Sequence, residues 1–286
     1  MGTLALPKDA DQLRSQYDGQ GYAMAPGLFT PEEVNLLRSH YMELRAKGSY
    51  PGDLAGLDVT SNDPLKRFPR MIHMHRWDET SLKFLLDARI KACLTTLLGG
   101  EPYAVQTMLY FKPAGARGQA LHQDQFYLRV QPGTCMAAWL ALDPCDEENG
   151  CMQVVPNTDE LPVLCPQAAD TKVSFTDVTV PLASGTHSVP IIMNAGDVLF
   201  FNGSLIHGSF PNRSEHRFRR ALIGHYIVGD AEKVGGFYHP VLRMGGTQVD
   251  LGQSDGAGPC GIWREIDGKN TVALVQPEEI AAALHE

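Results

Sequence analysis

A histidine and an aspartate two residues apart, His122 and Asp124, could hold a metal ion together with a distant partner at His207. On an extended strand, residues i and i+2 face the same way with Cα atoms roughly 6.6 Å apart, so an imidazole and a carboxylate can converge on one ion. A second imidazole completes a set that covers one face of the ion and leaves three positions open, an arrangement suited to Fe(II) oxygenases. The triplet alone is a weak signal. Ten His and 33 acidic residues in 286 make about one His-x-Asp or His-x-Glu expected by chance. Only this one occurs, and the plain alternative is a strand His paired with an Asp.

The context is more informative than the triplet. Asn194–Ser209 reads as a turn, an apolar strand and a second turn that delivers His207. A basic cluster, Arg217, Arg219 and Arg220, then leads into the apolar run 221–228. Neighbours on a strand face opposite ways, so only one of Arg219 and Arg220 can point inward. A buried Arg needs an anionic partner, and the distal carboxylate of 2-oxoglutarate matches it in bidentate geometry. The alternative is a pair of solvated edge arginines.

His73 and His75 form a rival metal pair with no third ligand at suitable spacing, and His75 is better placed to line a substrate cleft. Gln125 and Tyr127 have the opposite strand parity from His122, although a bulge or turn would redirect them toward substrate. Lys112, Arg70 and Arg76 are candidates to receive an anionic substrate, against the usual fate of a loop cation, which is solvation.

The elements that must position these groups fall into three stretches. Residues 1–101 carry the helical pattern and residues 48–77 form a long irregular connection of the kind that serves as a lid. Thr30-Pro-Glu-Glu33 is a helix start with a capping box, followed by the stripe Val34, Leu37, Tyr41 and Leu44. A second helix is expected from about residue 78 to Gly99-Gly100. Residues 102–230 change to short strands, near 103–112, 121–129, 135–143, 151–155, 173–181, 197–201, 205–209 and 220–228. That texture predicts a mainly β fold with flanking helices (α+β), a sandwich or jelly roll rather than alternating βαβ units. Residues 231–286 are Gly-rich, with Gly256-Ala-Gly258 among the pairs, and are expected as an ordered loop-rich extension packed on the barrel. The whole reads as one domain.

Five ordered blocks carry a resemblance. TMLYFKP (107–113), LHQD (121–124), ENGCMQVVP (148–156), HGSFPN (207–212) and FRRA (218–221) together resemble the phytanoyl-CoA dioxygenase family over about residues 20–228. The resemblance implies a double-stranded β-helix, or cupin-like jelly roll, with helices on one side. It also implies Fe(II) held by His122, Asp124 and His207, with 2-oxoglutarate and O2 as co-substrates. Arg219 falls where the family anchors 2-oxoglutarate, with Ser209 beside it, and Met108, Trp139 and Gln106 match positions lining that pocket. The order Phe-Arg-basic-Ala favours Arg219 over Arg220. Halogenating relatives replace the metal carboxylate with a small residue. Asp124 is intact, so hydroxylation is expected. Family members act on acyl-CoA thioesters, amino-acid derivatives, aminoalkylphosphonates and natural products. The block QFYL after Asp124 and the short chain lean toward a small polar substrate such as an aminoalkylphosphonate or amino-acid derivative. Desaturation, cyclisation or epimerisation with the same cofactors, a catalytically silent metal-binding jelly roll, and a zinc cupin-like hydrolase or isomerase are the competing readings.

Bulk properties exclude other classes. A formal net charge of -9 argues against nucleic acid or an anionic membrane as partner. Residues 1–7 show neither a basic n-region nor a myristoylation pattern, and no run is long enough to span a bilayer, so a cytoplasmic protein acting on a small molecule is expected. Six scattered cysteines without a CxxC pair are expected as buried free thiols. Oligomeric state leaves no mark on the sequence.

Overall fold

The computed structural model describes residues 10–53, 56–254 and 258–276, so residues 1–7 and Gly256-Ala257 of the tail lie outside the described residues. Helix α1 (Ala10–Gln20) leads into a short strand, β1 (Tyr22–Ala25), and both go beyond the sequence reading. Helix α2 (Pro31–Ala46) begins as its sequence dictates. Thr30 Oγ1 accepts from the Glu33 N–H at 3.3 Å, and Glu33 Oε2 accepts from the Thr30 N–H at 2.8 Å. The expected lid segment is partly regular: it holds α3 (Pro64–Arg67) and a two-residue strand, β2 (Met71–Ile72), that joins the main sheet. The single helix expected from residue 78 is two, α4 (Glu79–Leu85) and α5 (Ala88–Leu98). They break at Asp87 because its carboxylate caps the second, accepting from the Arg89 N–H at 2.8 Å. Helix α5 stops at Gly99 in the left-handed region, as expected.

The strands of the core follow: β3 (Tyr103–Tyr110), β4 (Gln119–His122), then after a one-turn helix α6 (Gln125–Leu128), β5 (Cys135–Ala141) and β6 (Met152–Val154). Next come β7 (Gln167–Ala168), β8 (Val178–Thr179), β9 (Val189–Ile191), β10 (Val198–Asn202), β11 (His207–Ser209) and β12 (Ala221–Ile227). Two expectations need correction. The strand expected over 121–129 ends at His122, because its partner β11 is only three residues long and the pairing stops at His207↔His122. The chain closes a helical turn instead, with Asp124 O accepting from the Tyr127 and Leu128 N–H groups at 2.9 and 3.0 Å. The strand expected over 173–181 is mostly turn, because Asp170 gathers the N–H groups of residues 172, 173 and 174, and only β8 remains.

The tail is also more regular than expected. It forms β13 (Lys233–Gly235), β14 (Val241–Arg243), β15 (Gln248–Val249), β16 (Gly252–Ser254) and a hairpin of β17 (Cys260–Ile266) and β18 (Lys269–Val275). The hairpin turns on Asp267-Gly268, both at positive φ (52° and 72°), which is a two-residue signal present in the sequence. Cys165 and Cys260 are joined as a disulfide, contrary to the expected free thiols; Cys93, Cys135, Cys145 and Cys151 are free and buried. The pair is created by a parallel bridge, Leu164↔Gly261, with the Cys165 N–H bonded to Gly261 O at 2.9 Å, which sets side by side two residues 95 apart in sequence.

Two antiparallel sheets enclose the site. The larger runs β1-β10-β5-β12-β3-β14-β15, with β2 also on β3; the smaller runs β4-β11-β6-β9. Strand β5 is buried along its whole length because both faces are covered. Met136, Ala138 and Leu140 pack with the helices, against Ile90, Leu94 and Tyr41. Ala137, Trp139 and Ala141 face inward and pack with Met152, Val154 and Phe201 between the sheets. This is the jelly-roll core with helices on one side. No helix among the described residues is long and apolar enough to cross a membrane.

Candidate metal centre and its cavity

Strands β4 and β11 place His122 directly opposite His207, with ring centroids 4.2 Å apart. The close approach depends on Gly208: a Cβ there would lie 2.7 Å from Gln119 O and 3.1 Å from Ala120 O. Both rings are fixed from behind. His122 Nδ1 lies 2.9 Å from Ala120 O, and His207 Nδ1 lies 2.9 Å from Leu205 O. A carbonyl only accepts, so each Nδ1 carries the hydrogen and each Nε2 presents a lone pair. Asp124 reaches the same point from the turn rather than from a strand. Its two oxygens stand 3.6 Å from His122 Nε2 and from His207 Nε2. The three ligand atoms lie within 4.8 Å of one another, and no other such group of three occurs among the described residues.

The electrostatics suit a divalent cation. Burial opposes ionisation of Asp124, but the imidazoles of His207, His122 and His225 outweigh it and hold the carboxyl well below the usual carboxylate range. Burial, and then His122 beside it, push His207 down to about 4 against the pull of Asp124. At neutral pH the site therefore offers a carboxylate and a neutral His207 ring, which is the donor chemistry a metal of the Fe(II) type takes.

Arg219 and Arg220 do face opposite ways. Arg220 is fully occupied by Asp143, through Nε and Nη2 at 2.8 Å each. Arg219 is 2% exposed; its Nε donates to Gly150 O at 3.0 Å, its guanidinium lies 5.2 Å over the Trp139 ring, and Nη1 has no partner. Lys112 is buried beside it, donating from Nζ to Ser209 Oγ at 2.7 Å and to Phe210 O at 2.6 Å. Burial, and then Arg219, hold the Lys112 ammonium well below its ordinary pKa. The buried Arg219 guanidinium, with its unpartnered N–H, is a cradle for a carboxylate.

A cavity of about 420 Å³ opens onto the triad. Trp139, Ile223 and Met108 line it side by side across β5, β12 and β3, and Gln106 and Tyr127 also reach it. Arg219 and Ser209 do not line it; Arg219 stacks on Trp139, which does. Four expected contacts are absent from its wall. Gln125 turns away, with Nε2 donating to Val130 O at 2.8 Å, and Lys112 is committed to Ser209 and Phe210. His75 is buried against Thr107, its Nδ1 3.0 Å from Oγ1. Arg76 donates to Phe237 O and His239 O at 3.0 and 2.6 Å. The His73–His75 pair, with ring centroids 5.7 Å apart, gathers no third ligand among the described residues.

Several site residues escaped the sequence reading. His225 lies 3.3 Å from Asp124 Oδ2 and lines the cavity. It shares strand parity with Arg219 and Ile223, a signal that was available. Gln119 Nε2 caps His122 Nε2 at 3.0 Å. Gln123, between the two ligands, is buried and holds three backbone groups: Pro162 O, Ser204 O and the Leu164 N–H. Nothing in its sequence context marks that clamp.

Comparison with known proteins agrees with this geometry. Residues 17–221 match the family described as Phytanoyl-CoA dioxygenase (PhyH). Phytanoyl-CoA dioxygenase 1 of Oryza sativa subsp. japonica is 30% identical over 155 residues, which is 54% of this chain and 55% of that protein. The peroxisomal phytanoyl-CoA dioxygenase of Bos taurus is 26% identical over 229 residues, 75% of this chain and 67% of the relative. The chain thus spans little more than half of the first relative and about two thirds of the second. Among solved structures, the non-heme alpha ketoglutarate dependent epimerase SnoN from nogalamycin biosynthesis shares the fold, with TM-score 0.62 and 23% identity over 79% of this chain and 85% of that one. With the match covering most of the core and the His-Asp-His cluster inside it, the chain belongs to the phytanoyl-CoA dioxygenase family of iron(II)- and 2-oxoglutarate-dependent oxygenases, which use O2.

Proposed function

We propose that this oxygenase hydroxylates a small polar molecule, with His122, Asp124 and His207 as the iron ligands and Arg219 as the anchor of 2-oxoglutarate. The observation that carries the proposal is the convergence of two imidazole Nε2 atoms, each turned inward by a backbone carbonyl, on one ionised carboxylate. Bound there, iron with 2-oxoglutarate and O2 supplies the oxidising power that turns a C–H bond into C–OH, releasing succinate and CO2. The chain's own groups position and shield. Ala120 O and Leu205 O hold the ligand tautomers, His225 steadies the Asp124 carboxylate, and Trp139 stacks on the guanidinium that would meet the distal carboxylate. Its unpartnered Nη1 and the full pairing of Arg220 favour Arg219 for that role.

The cavity volume of about 420 Å³ is near the low end for ligand pockets and must also admit 2-oxoglutarate, which supports a small substrate. The net charge of -9 supports a small-molecule rather than a nucleic-acid partner. The proposal treats the chain as one oxygenase domain and places it in the cytoplasm; the four buried free thiols agree with a reducing compartment, the Cys165–Cys260 disulfide counts against one, and fractionation tests the location. The likeness of fold to an epimerase favours one second reading, in which the same site ends in epimerisation rather than hydroxylation.

The test is anaerobic titration of the apo-protein with Fe(II) and then 2-oxoglutarate, following the weak visible charge-transfer band. The band is expected in wild type, lost in Asp124→Ala and weakened in Arg219→Ala. A folded wild-type protein that binds iron and forms no band sinks the co-substrate assignment. Product analysis separates hydroxylation from epimerisation.

A further inference from the structure

Two arginines reach the cavity and, among the described residues, have no acid to neutralise them. Arg70 immediately precedes β2, whose register (Met71↔Leu109, Ile72↔Met108) sets it across from Tyr110, and its Nη1 is 3.5 Å from the Tyr110 hydroxyl. Tyr127 and Tyr238 also stand close to it. Arg129 comes from a different element, the C-cap of α6, and its side chain makes one long contact, Nε to Phe126 O at 3.5 Å. Both line the cavity. Elsewhere the arginines Arg89, Arg117, Arg217 and Arg220 are each held by Asp or Glu. Among the described residues, the only carboxylate in the cavity wall is Asp124, which faces the histidines; Asp177 lies outside the wall, near Tyr127.

The backbone at Arg129 adds a second observation. Arg129 sits at φ 53°, ψ 46°, a left-handed cap that glycine fills without strain. Its N–H is bonded to Gln125 O at 2.9 Å and its carbonyl accepts from Ser254 Oγ at 2.6 Å, so the strained conformation is pinned and the side chain is aimed. A strained backbone that presents an unpaired cation to a cavity points to a ligand rather than to the fold.

We propose that Arg70 and Arg129 form a cationic clamp that grips an anionic oxygen group of the substrate, a carboxylate or a phosphoryl group, while the rest of the molecule is held toward His122, Asp124 and His207. The clamp rests on the oxygenase reading of the metal centre. Tyr110, Tyr127 and Tyr238 add hydroxyl donors around the same anion. Lys112 and Arg76, two further cations near the site, are already tied to carbonyl or hydroxyl oxygens.

The experiment uses the full chain loaded anaerobically with Fe(II) and saturating 2-oxoglutarate. Butyrate, butyramide, propylphosphonate and dimethyl propylphosphonate are titrated calorimetrically, and the charge-transfer band is recorded alongside. One of the two acids is expected to bind at least about ten-fold tighter than its neutral counterpart, and which one does distinguishes a carboxylate from a phosphoryl clamp. Arg70→Gln and Arg129→Gly are each expected to weaken that acid by about ten-fold, with the band unchanged. Arg129→Gly suits the left-handed backbone, so its melting temperature should not fall. Equal affinity for acid and neutral probe, no binding of either acid, or full acid affinity in both variants overturns the clamp. A band that weakens in Arg70→Gln assigns that arginine to 2-oxoglutarate and overturns it too. If the wild-type band never forms, the oxygenase reading fails separately, and titration of the acids into the protein alone still decides whether the arginines bind an anion.

Discussion

Replacing Arg219 with Met should separate stability from co-substrate affinity. The guanidinium makes one charge-assisted hydrogen bond, to Gly150 O at 3.0 Å, and stacks on Trp139. Losing these costs about 1.5–3 kcal/mol and about 0.5–2 kcal/mol respectively. Against this, the substitution removes a buried unpartnered N–H, worth about 1–3 kcal/mol, and relieves the repulsion with Lys112. The contributions nearly cancel, so the apo-protein should change by no more than about 2 kcal/mol. Co-substrate binding should respond very differently. Loss of two charge-assisted bonds to a carboxylate, about 3 kcal/mol, weakens binding about 100-fold. At a 2-oxoglutarate concentration of about 100 times the wild-type Kd, ligand-linked stabilisation is about 2.7 kcal/mol in wild type and about 0.4 kcal/mol in the variant. Anaerobic urea unfolding with Fe(II), with and without 2-oxoglutarate, measures both quantities. Arg219→Lys should fall between, because an ammonium cannot bind a carboxylate bidentately. Full 2-oxoglutarate stabilisation in Arg219→Met would refute the anchoring role. An apo-protein destabilised by more than about 4 kcal/mol would show that the guanidinium is a structural strut.

Three further outcomes are expected. Gln123→Ala strands Pro162 O, Ser204 O and the Leu164 N–H, so stability should drop by about 2–4 kcal/mol and iron affinity should fall because the turn between the ligands loosens; unchanged iron binding in a folded variant argues against the clamp role. His73 and His75 are pushed down by burial and then by Arg76, to about 3 and about 4, whereas the unfolded values are near 6.5. Between about pH 6.5 and 4 the unfolded chain therefore binds protons that the folded chain does not. Their contribution is full above pH 6.5 and declines on acidification, by up to about 2 kcal/mol per histidine at pH 5. Urea midpoints at pH 7 and pH 5 should show this, and His75→Gln should flatten it; an identical slope in that variant removes His75 from the account. Finally, reduction of Cys165–Cys260 should lower stability by up to about 5 kcal/mol, given the 95-residue separation it closes. Thiol titration of denatured protein should count four thiols before reduction and six after, and six before reduction means that the bond does not form.

Features set by local chemistry are legible in the residues alone. The Thr30–Glu33 box started its helix, Gly99 ended another, and the unbroken apolar run of 135–141 built a strand buried on both faces. The His-x-Asp triplet and the turn-borne His207 could be read because a metal site demands particular residue types at restricted spacing. Tertiary structure decided the rest. Asp124 left the strand because β11 is too short to pair beyond His122, so the convergence arises from a helical turn and not from strand parity. Strand parity says that only one of Arg219 and Arg220 points inward, and the fold decides the partners: Asp143, 77 residues upstream of Arg220, occupies that arginine and leaves Arg219 buried beside Trp139. Lys112 and Arg76 were plausible substrate contacts until the fold supplied Ser209, Phe210, Phe237 and His239 as nearer partners. Cys165 meets Cys260 through a single parallel bridge that no spacing announces. Each of these is a contact between residues far apart in the chain, set by which surfaces the sheets bring together, and such contacts leave no periodicity to read.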